Sequence, residues 1–101
     1  MENQFGNRIK ALRESQNLLQ RQIASILEID TPMLSKIERG ERKAKKEQVL
    51  KFAEIFKVDS DDLLTLWLAN KVYDIVKDQD LALKAMEAVE EEIKSKRKRK
   101  S

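Results

Sequence analysis

The chain has 101 residues, of which 41% are hydrophobic and 39% charged, with 21 basic against 18 acidic residues and neither cysteine nor histidine. This length suits one domain with a single core, and only two glycines and one proline predict an all-helical fold with few loops. The missing residue types exclude disulfides, thiol chemistry and histidine-based metal sites or catalysis, and no run approaches the roughly 20 apolar residues of a membrane span.

Hydrophobic spacing and capping signals predict six helices. They cover about residues 4–15, 20–27, 31–39, 46–56, 60–77 and 81–96. Pro32 fits only the first turn of a helix, and Gly40 suits the residue just past a helix end, so the two bracket the third helix. Thr31 is its predicted N-cap, because a residue before proline avoids helical angles, with Asp30 as the alternative. Ser60 is the predicted N-cap of the fifth helix. The apolar side chains expected to be buried on the fourth helix are Val49, Leu50, Ala53 and Phe56.

The second and third helices form a pair joined by a tight turn. Ile23, Ala24 and Leu27 make one apolar stripe on the second helix, and Leu34 and Ile37 make one on the third. The opposite face of the third helix carries Thr31, Pro32, Ser35, Lys36 and Arg39. A short helix with a basic, hydroxyl-bearing face fits the major groove of B-form DNA. The segment therefore predicts sequence-specific binding to double-stranded DNA.

Charge is sorted along the chain. Residues 31–53 carry seven bases against three acids, residues 54–93 carry eleven acids against four bases, and residues 94–101 carry six bases and no acid. The first basic block lies on and just after the third helix, where phosphate contacts are needed. The acidic segment would be repelled by DNA, so we expect it to face away from the duplex.

The chain from about Gly6 to Trp67 resembles the phage-repressor/Cro-type helix-turn-helix family, the xenobiotic-response-element class of bacterial regulators. The matching residues are Arg8-Ile9-Lys10, Leu12-Arg13, Gln20, Ile23-Ala24, Leu27, the run 34–40, Val49-Leu50, Phe52-Ala53, Phe56-Lys57-Val58 and Leu63-Leu64. The resemblance implies an all-α fold, with a five-helix repressor-like DNA-binding domain and a C-terminal helical extension. Two residues depart from the pattern: Leu19 replaces the usual Ser or Thr N-cap, and Glu28 replaces the common turn glycine.

Site residues follow from this resemblance. The residues expected to contact bases are Thr31, Pro32, Ser35 and Lys36. Lys36 is suited to guanine O6 and N7, and Thr31 and Pro32 to a thymine methyl group. The residues expected to contact phosphates are Gln20, Arg39, Arg42, Lys43, Lys45 and Lys46. Arg13 and Glu38 are expected to form a partly buried ion pair that ties the first helix to the third, a structural role without DNA contact.

Three segments are predicted: a DNA-binding domain over residues 1–66, a helical extension over 67–93 that dimerises, and a basic disordered tail over 94–101. The fifth helix is apolar around more than half its circumference, and a helix of that kind is buried on all sides. Two interpretations stay open: helix six folds back on helix five within one subunit, or the two helices form a dimer interface. Dimerisation is favoured, because one short recognition helix reads only a few base pairs. The residues expected in the interface are Leu66, Trp67, Val72, Tyr73 and Val76.

The predicted function is a homodimeric repressor that binds a palindromic operator, with control of restriction–modification genes as one form of it. The alternative is a DNA-binding antitoxin whose residues 60–93 bind a toxin. A non-DNA adaptor is a third class, and an enzyme is the least favoured because no catalytic constellation stands out. We expect a bacterial cytoplasmic protein associated with the nucleoid, without membrane, metal or cofactor, and the sequence implies no ligand pocket.

Overall fold

The structure is a computed structural model that describes residues 3–100, with side chains described for residues 3–98. The described part consists of helices without strands, which confirms the all-α prediction. The helices are α1 (Gln4–Ser15), α2 (Gln20–Leu27), α3 (Thr31–Glu38), α4 (Lys46–Phe56), α5 (Ser60–Val76) and α6 (Ala82–Lys100). None of these helices is long and apolar enough to cross a membrane. Met1, Glu2 and Ser101 lie outside the described residues, and with them the outer ends of the predicted ranges 1–66 and 94–101.

Two helix N-caps differ from the sequence prediction. The N-cap of α3 is Asp30, whose Oδ1 accepts from the Met33 amide at 2.7 Å, so the prediction of Thr31 was wrong and the alternative was right. The N-cap of α5 is Asp59 rather than Ser60, and its Oδ1 accepts from the Asp61 amide at 2.8 Å. In both cases an aspartate one residue earlier satisfies a free helix donor, and a carboxylate at that position also favours the helix dipole.

The first five helices enclose one core of buried apolar side chains. Its largest fully buried members are Phe52, Phe56, Ile9, Ile23, Leu34 and Val49. Phe52 lies edge-on to Phe5 with ring centroids 6.2 Å apart, and it stacks on Phe56 at 6.1 Å. Aromatic pairs of this kind add about 0.5–1.5 kcal/mol each beyond the area that they bury. Helix α4 therefore supplies the centre of the core.

One predicted core position on α4 was wrong. Leu50 is 41% exposed, whereas Phe52 is fully buried. Phe52 completes the stripe of Val49, Ala53 and Phe56 at spacings of three and four residues, and Leu50 lies about 100° away from Val49 around the helix. The apolar character of Leu50 alone did not place it on the buried face.

Helix α1 passes very close to α3 at Gly6. A Cβ atom on Gly6 would lie 2.6 Å from the carbonyl oxygen of Ile37 and 2.5 Å from that of Glu38. These are backbone atoms, which cannot move aside as the end of a flexible side chain can. Asn3 covers the same crossing, and its Nδ2 donates to the Glu38 carbonyl at 2.9 Å. The crossing fixes the C-terminal end of α3 against α1.

Helix α5 runs without a break past the predicted boundary at residue 66. Beyond it, the Trp67 indole Nε1 donates to the Ala44 carbonyl at 2.8 Å, and Asn70 Oδ1 accepts from the Phe5 amide at 3.0 Å. The first part of the predicted extension therefore packs against residues of the preceding segment.

Helix α6 extends away from the domain, and its apolar side chains stay exposed. Leu83 is 80% exposed, and Met86, Val89 and Ile93 are also exposed. Helix six therefore does not cover helix five closely within one subunit. The predicted disordered tail also differs, because residues 94–100 continue α6 as helix.

Candidate nucleic-acid interface

The two residues that depart from the family pattern lie at opposite ends of α2, and Glu28 forms the turn that joins α2 to α3. Glu28 adopts a left-handed conformation with φ of 58°, and the amide of Ile29 reaches back to the Ala24 carbonyl at 3.0 Å. This is the helix-ending arrangement in which glycine is the usual residue. Leu19 occupies the N-cap of α2 without a side-chain hydrogen bond, and Gln22 Oε1 instead accepts from the Leu19 amide at 2.7 Å. Both ends of α2 are thus closed by hydrogen bonds despite these two substitutions.

The predicted ion pair between Arg13 and Glu38 is present. Arg13 donates through Nε to Glu38 Oε2 at 2.7 Å and through Nη2 to Oε1 at 3.0 Å, and the Glu38 side chain is 2% exposed. These hydrogen bonds raise the pKa of Arg13 above its ordinary value, although burial opposes the rise. Arg13 also donates to the Leu18 carbonyl at 3.1 Å. The pair thus joins α1, the start of α2 and the end of α3.

Gln20, predicted to contact a phosphate, also joins this network. Its Nε2 donates to Glu38 Oε1 at 3.0 Å, so the amide is held within the protein in the unbound chain. Gln20 remains the first residue of α2, where backbone amides are free of intrahelical partners. The geometry leaves the backbone, rather than the side-chain amide, as the group of Gln20 that is open to an anion.

The face of α3 opposite the core presents the residues predicted to contact bases. Thr31, Pro32 and Lys36 are exposed, and Ser35 is half-buried. No hydrogen bond or ion pair within the described chain holds the Lys36 ammonium, so it can extend outward. The Ser35 hydroxyl accepts from the Arg39 guanidinium, which also pairs with Glu41.

The predicted phosphate-contacting residues divide into two groups. Arg39 donates a hydrogen bond to Glu41, and Lys43 donates one to Asp74. Each hydrogen bond holds the pKa of the carboxyl group below its ordinary value. The exposed members for which the described chain gives no acidic partner are Arg42, Lys45 and Lys46. Lys45 and Lys46 lie at the N-terminal end of α4. A cation at this position interacts unfavourably with the helix dipole, but the ammonium groups and the free backbone amides can together bind a phosphate.

Gly40 turns the chain between α3 and these basic residues. It has a φ of 78°, its amide donates to the Ile37 carbonyl at 3.1 Å, and the Glu41 amide donates to the Lys36 carbonyl at 2.9 Å. This pair of bonds is the standard ending of a helix at a left-handed glycine. It confirms the predicted position of Gly40 just past the end of α3.

Comparison with protein families decides the identity of this unit. A family model described as Helix-turn-helix matches residues 9–63, which is more than half of the chain and includes α2, α3 and the turn between them. The chain belongs to the Cro/CI-type helix-turn-helix family. It is therefore a DNA-binding transcriptional regulator, as the sequence predicted. Comparison with curated proteins and with solved structures gave no significant match.

The regulator has an apolar groove between α5 and α6, and part of the predicted dimer interface lines it. The groove has a volume of about 420 Å³ and is lined by Val72, Tyr73, Val76, Leu68 and Met86 among others. The other two predicted interface residues, Leu66 and Trp67, pack against the core instead. Three of the five residues therefore lie together in the groove, and the other two contact the core.

Sequence reasoning missed two polar side chains on α5. The Lys71 Nζ lies 3.9 Å from the centroid of the Trp67 ring, and Asn70 is buried beside the N-terminal end of α1. Both lie on a helix that was judged only by its apolar residues, so no sequence signal drew attention to them. Within the described residues, no group of three or more acidic side chains is placed to hold a metal ion.

Proposed function

We propose that this regulator is a homodimeric repressor that reads a palindromic operator by inserting α3 into the major groove. The observation that supports the proposal is the exposed face of α3. The two hydrogen bonds between Arg13 and Glu38 hold this helix in place on the rest of the domain. A recognition helix must present side chains at defined positions to distinguish base pairs. Thr31, Pro32 and Lys36 meet this requirement, because they point away from the core and share one face of a capped helix.

Each base-facing side chain has a distinct role in this proposal. The Lys36 ammonium donates to guanine O6 or N7, and the methyl and ring carbons of Thr31 and Pro32 contact a thymine methyl group. Ser35 exchanges its bond from Arg39 for a bond to a base edge when DNA binds, and Arg39 then turns to a phosphate. Arg42, Lys45 and Lys46, with the backbone at the start of α2, contact phosphates and set the register of α3 along the groove.

Dimerisation is supported by the exposed apolar groove. Several large apolar side chains of α5 and α6 are exposed in one chain, namely Leu68, Ile75, Leu83, Val89 and Ile93. Single exposed apolar residues are common on protein surfaces, but this number on two neighbouring helices indicates an interaction surface. A two-fold axis through this region would bury them against the same residues of a second copy. Two recognition helices would then reach half-sites one helical turn apart, about 34 Å, and the operator would be palindromic.

In vitro selection tests this proposal, because it reports specificity and symmetry together. A random duplex library should yield a palindrome whose half-sites are centred about one helical turn apart, or a multiple of it. Recovery of a single asymmetric half-site would remove the homodimer from the proposal, and recovery of no consensus would remove specific binding. The position of the operator in the genome then identifies the controlled genes. One version of the hypothesis is that these are restriction–modification genes.

An antitoxin remains the second candidate, and the same groove between α5 and α6 supports it. An amphipathic segment of another protein could occupy a groove of this kind in place of a second copy. Sedimentation of the purified chain separates the candidates. A monomer at concentrations well above those that saturate DNA would favour a different protein as the occupant, whereas a dimer favours the repressor.

A further inference from the structure

A half-open crevice lies between the N-terminal end of α1, residues 39–45 and α5. Its volume is about 230 Å³. Buried apolar side chains form its floor, namely Phe5, Ile37 and Ala44, beside Trp67. This volume lies below the roughly 300–1,000 Å³ that is usual for drug-sized ligands, so the crevice suits a small molecule. The sequence implied no ligand pocket, since the DNA-binding unit and its helical extension use nearly all of its length. The lining of the crevice comes from three separate segments.

The lining of the crevice is strongly basic. Its charged members are Arg39, Arg42, Lys43, Lys71 and Lys77 against a single carboxylate, Asp74. Asp74 pairs with Lys43, and Glu41, which is not part of the lining, pairs with Arg39. Arg42 and Lys71 remain as positive charges of the lining after both pairs are counted and Lys77 is left aside. A concave surface of one sign concentrates ions of the opposite sign.

Asn70 places a neutral donor at the bottom of the crevice. It is 9% exposed, and its Oδ1 is occupied by the Phe5 amide. Its Nδ2 has no hydrogen-bond partner within the described chain. Among the described residues, every fully buried side-chain nitrogen or oxygen has a hydrogen-bond partner. Because Nδ2 has none, it is not fully buried and contacts solvent. The crevice that Asn70 lines is the solvent space available to it.

Lys71 positions a charged donor above the same floor. Its Nζ lies 3.9 Å from the centroid of the Trp67 ring, and both residues line the crevice, so the contact holds the ammonium beside it. Lys71, Arg42 and Asn70 all line the crevice, so an anion that enters it would meet two charged donors and one neutral amide donor. Charge-assisted N–H donors converging from several directions match the acceptor oxygens of a phosphate group.

We infer that this crevice binds a small, freely diffusing phosphate-bearing anion through Lys71, Arg42 and Asn70. The recessed, nine-tenths buried position of Asn70 favours a free solute over the backbone of a duplex, whose phosphates stand on a broad convex surface. The inference shares Arg42 with the proposed phosphate contacts of the operator, but it requires neither dimerisation nor sequence specificity.

Trp67 provides the test, because it is the only tryptophan in the chain. Pyrophosphate is titrated into the full chain without DNA, with sodium chloride at equal ionic strength as the reference, and Trp67 fluorescence is followed. We expect a saturable change with pyrophosphate that chloride does not reproduce. Lys71→Met should weaken binding about 10-fold or more, the usual effect of losing one hydrogen bond from a charged group. Lys51→Met removes an exposed lysine on α4 and should leave the midpoint unchanged.

The side-chain amide resonances of Asn70 give a second measurement that does not depend on the effect of Lys71 on fluorescence. They should shift along the same titration curve as Trp67. A non-saturating response, or equal weakening by Lys71→Met and Lys51→Met, would overturn the inference. It would also fail if short random duplexes, but not pyrophosphate, saturated both signals, and in that case the proposed DNA binding would stand without it.

Discussion

Arg13 and Glu38 are joined by two hydrogen bonds, at 2.7 and 3.0 Å, that connect the first helix to the end of the recognition helix. Glu38 is almost fully buried and receives a further bond from Gln20. Buried ion pairs add little net stability over an apolar pair, but removing one partner is costly because the other charge is left unpaired. The value of this pair to the regulator is that it fixes the orientation of α3.

Arg13→Met should lower the free energy of unfolding by about 3–5 kcal/mol, because it leaves the Glu38 carboxylate buried without its cation. Urea unfolding measures the change. The double variant Arg13→Met/Glu38→Met should regain part of the loss, since no lone charge remains. Arg21→Met, which removes an exposed arginine on α2, should change stability by less than about 0.5 kcal/mol. A loss as small in Arg13→Met as in Arg21→Met would show that the pair does not hold the helices together.

Lys36→Ala should relax the preference at one base pair of each half-site, because it removes one direct contact to a base. Lys45→Ala should instead weaken binding to all sequences about equally and reduce the salt dependence by about one phosphate contact. Binding of both variants to operators with single substitutions distinguishes these effects. Identical behaviour of the two variants would mean that α3 is oriented differently on the duplex.

Glu28→Gly should stabilise the protein by about 0.5–1 kcal/mol, because Glu28 has a φ of 58° in a turn that favours glycine. Glu28→Ala is the matched control, since it removes the same side chain but keeps the unfavourable Cβ atom. Thermal unfolding of both variants gives the comparison. Equal midpoints for the glycine and alanine variants would show that backbone strain at this turn is negligible.

If the proposed dimer forms through the apolar groove between α5 and α6, Val72→Glu should convert it to a monomer and reduce operator affinity, because it places a charge in that groove. Leu50→Glu makes the same change at an exposed apolar residue of α4, outside the groove, and should leave the proposed dimer intact. Sedimentation equilibrium reports both. A dimer that survives Val72→Glu places the interface elsewhere.

The carboxyl group of Asp74 should titrate below the ordinary aspartate pKa of about 3.9, because the Lys43 ammonium bonds to its charged form. The pair's contribution to stability is therefore present above that ordinary pKa and is lost as the pH falls through the lower folded value. Carbon-detected NMR titration of Asp74 measures it. Lys43→Met should return its pKa towards the ordinary value, and an unchanged pKa in this variant would show that the pair does not persist in solution.

Helix positions and the recognition unit could be predicted from sequence because they depend on local periodicity and on turn residues. The bounds of α2 and α4 and the role of Gly40 follow from such signals. The caps at Asp30 and Asp59 were displaced by one residue, because adjacent polar residues compete for the same free donors. Leu50 was misplaced because a run of apolar residues leaves the phase of the helix open.

Features that depend on distant segments could not be read from the sequence. Gly6 is fixed by the approach of α1 to α3, and the crevice around Asn70 joins three segments. The direction of α6 could not be predicted either, because its stripe of apolar residues could pack against several different partners. The structure shows that this stripe stays exposed within one chain. These are relationships of tertiary packing, to which local patterns are insensitive.

The most direct test of the central claim is the ratio of affinities for the selected operator and a scrambled duplex of the same composition, measured at physiological ionic strength. If the side chains from Thr31 to Lys36 read base edges, the operator should bind at least about 1,000-fold more tightly than the scrambled duplex. Equal affinities for the two duplexes would contradict sequence-specific recognition by α3.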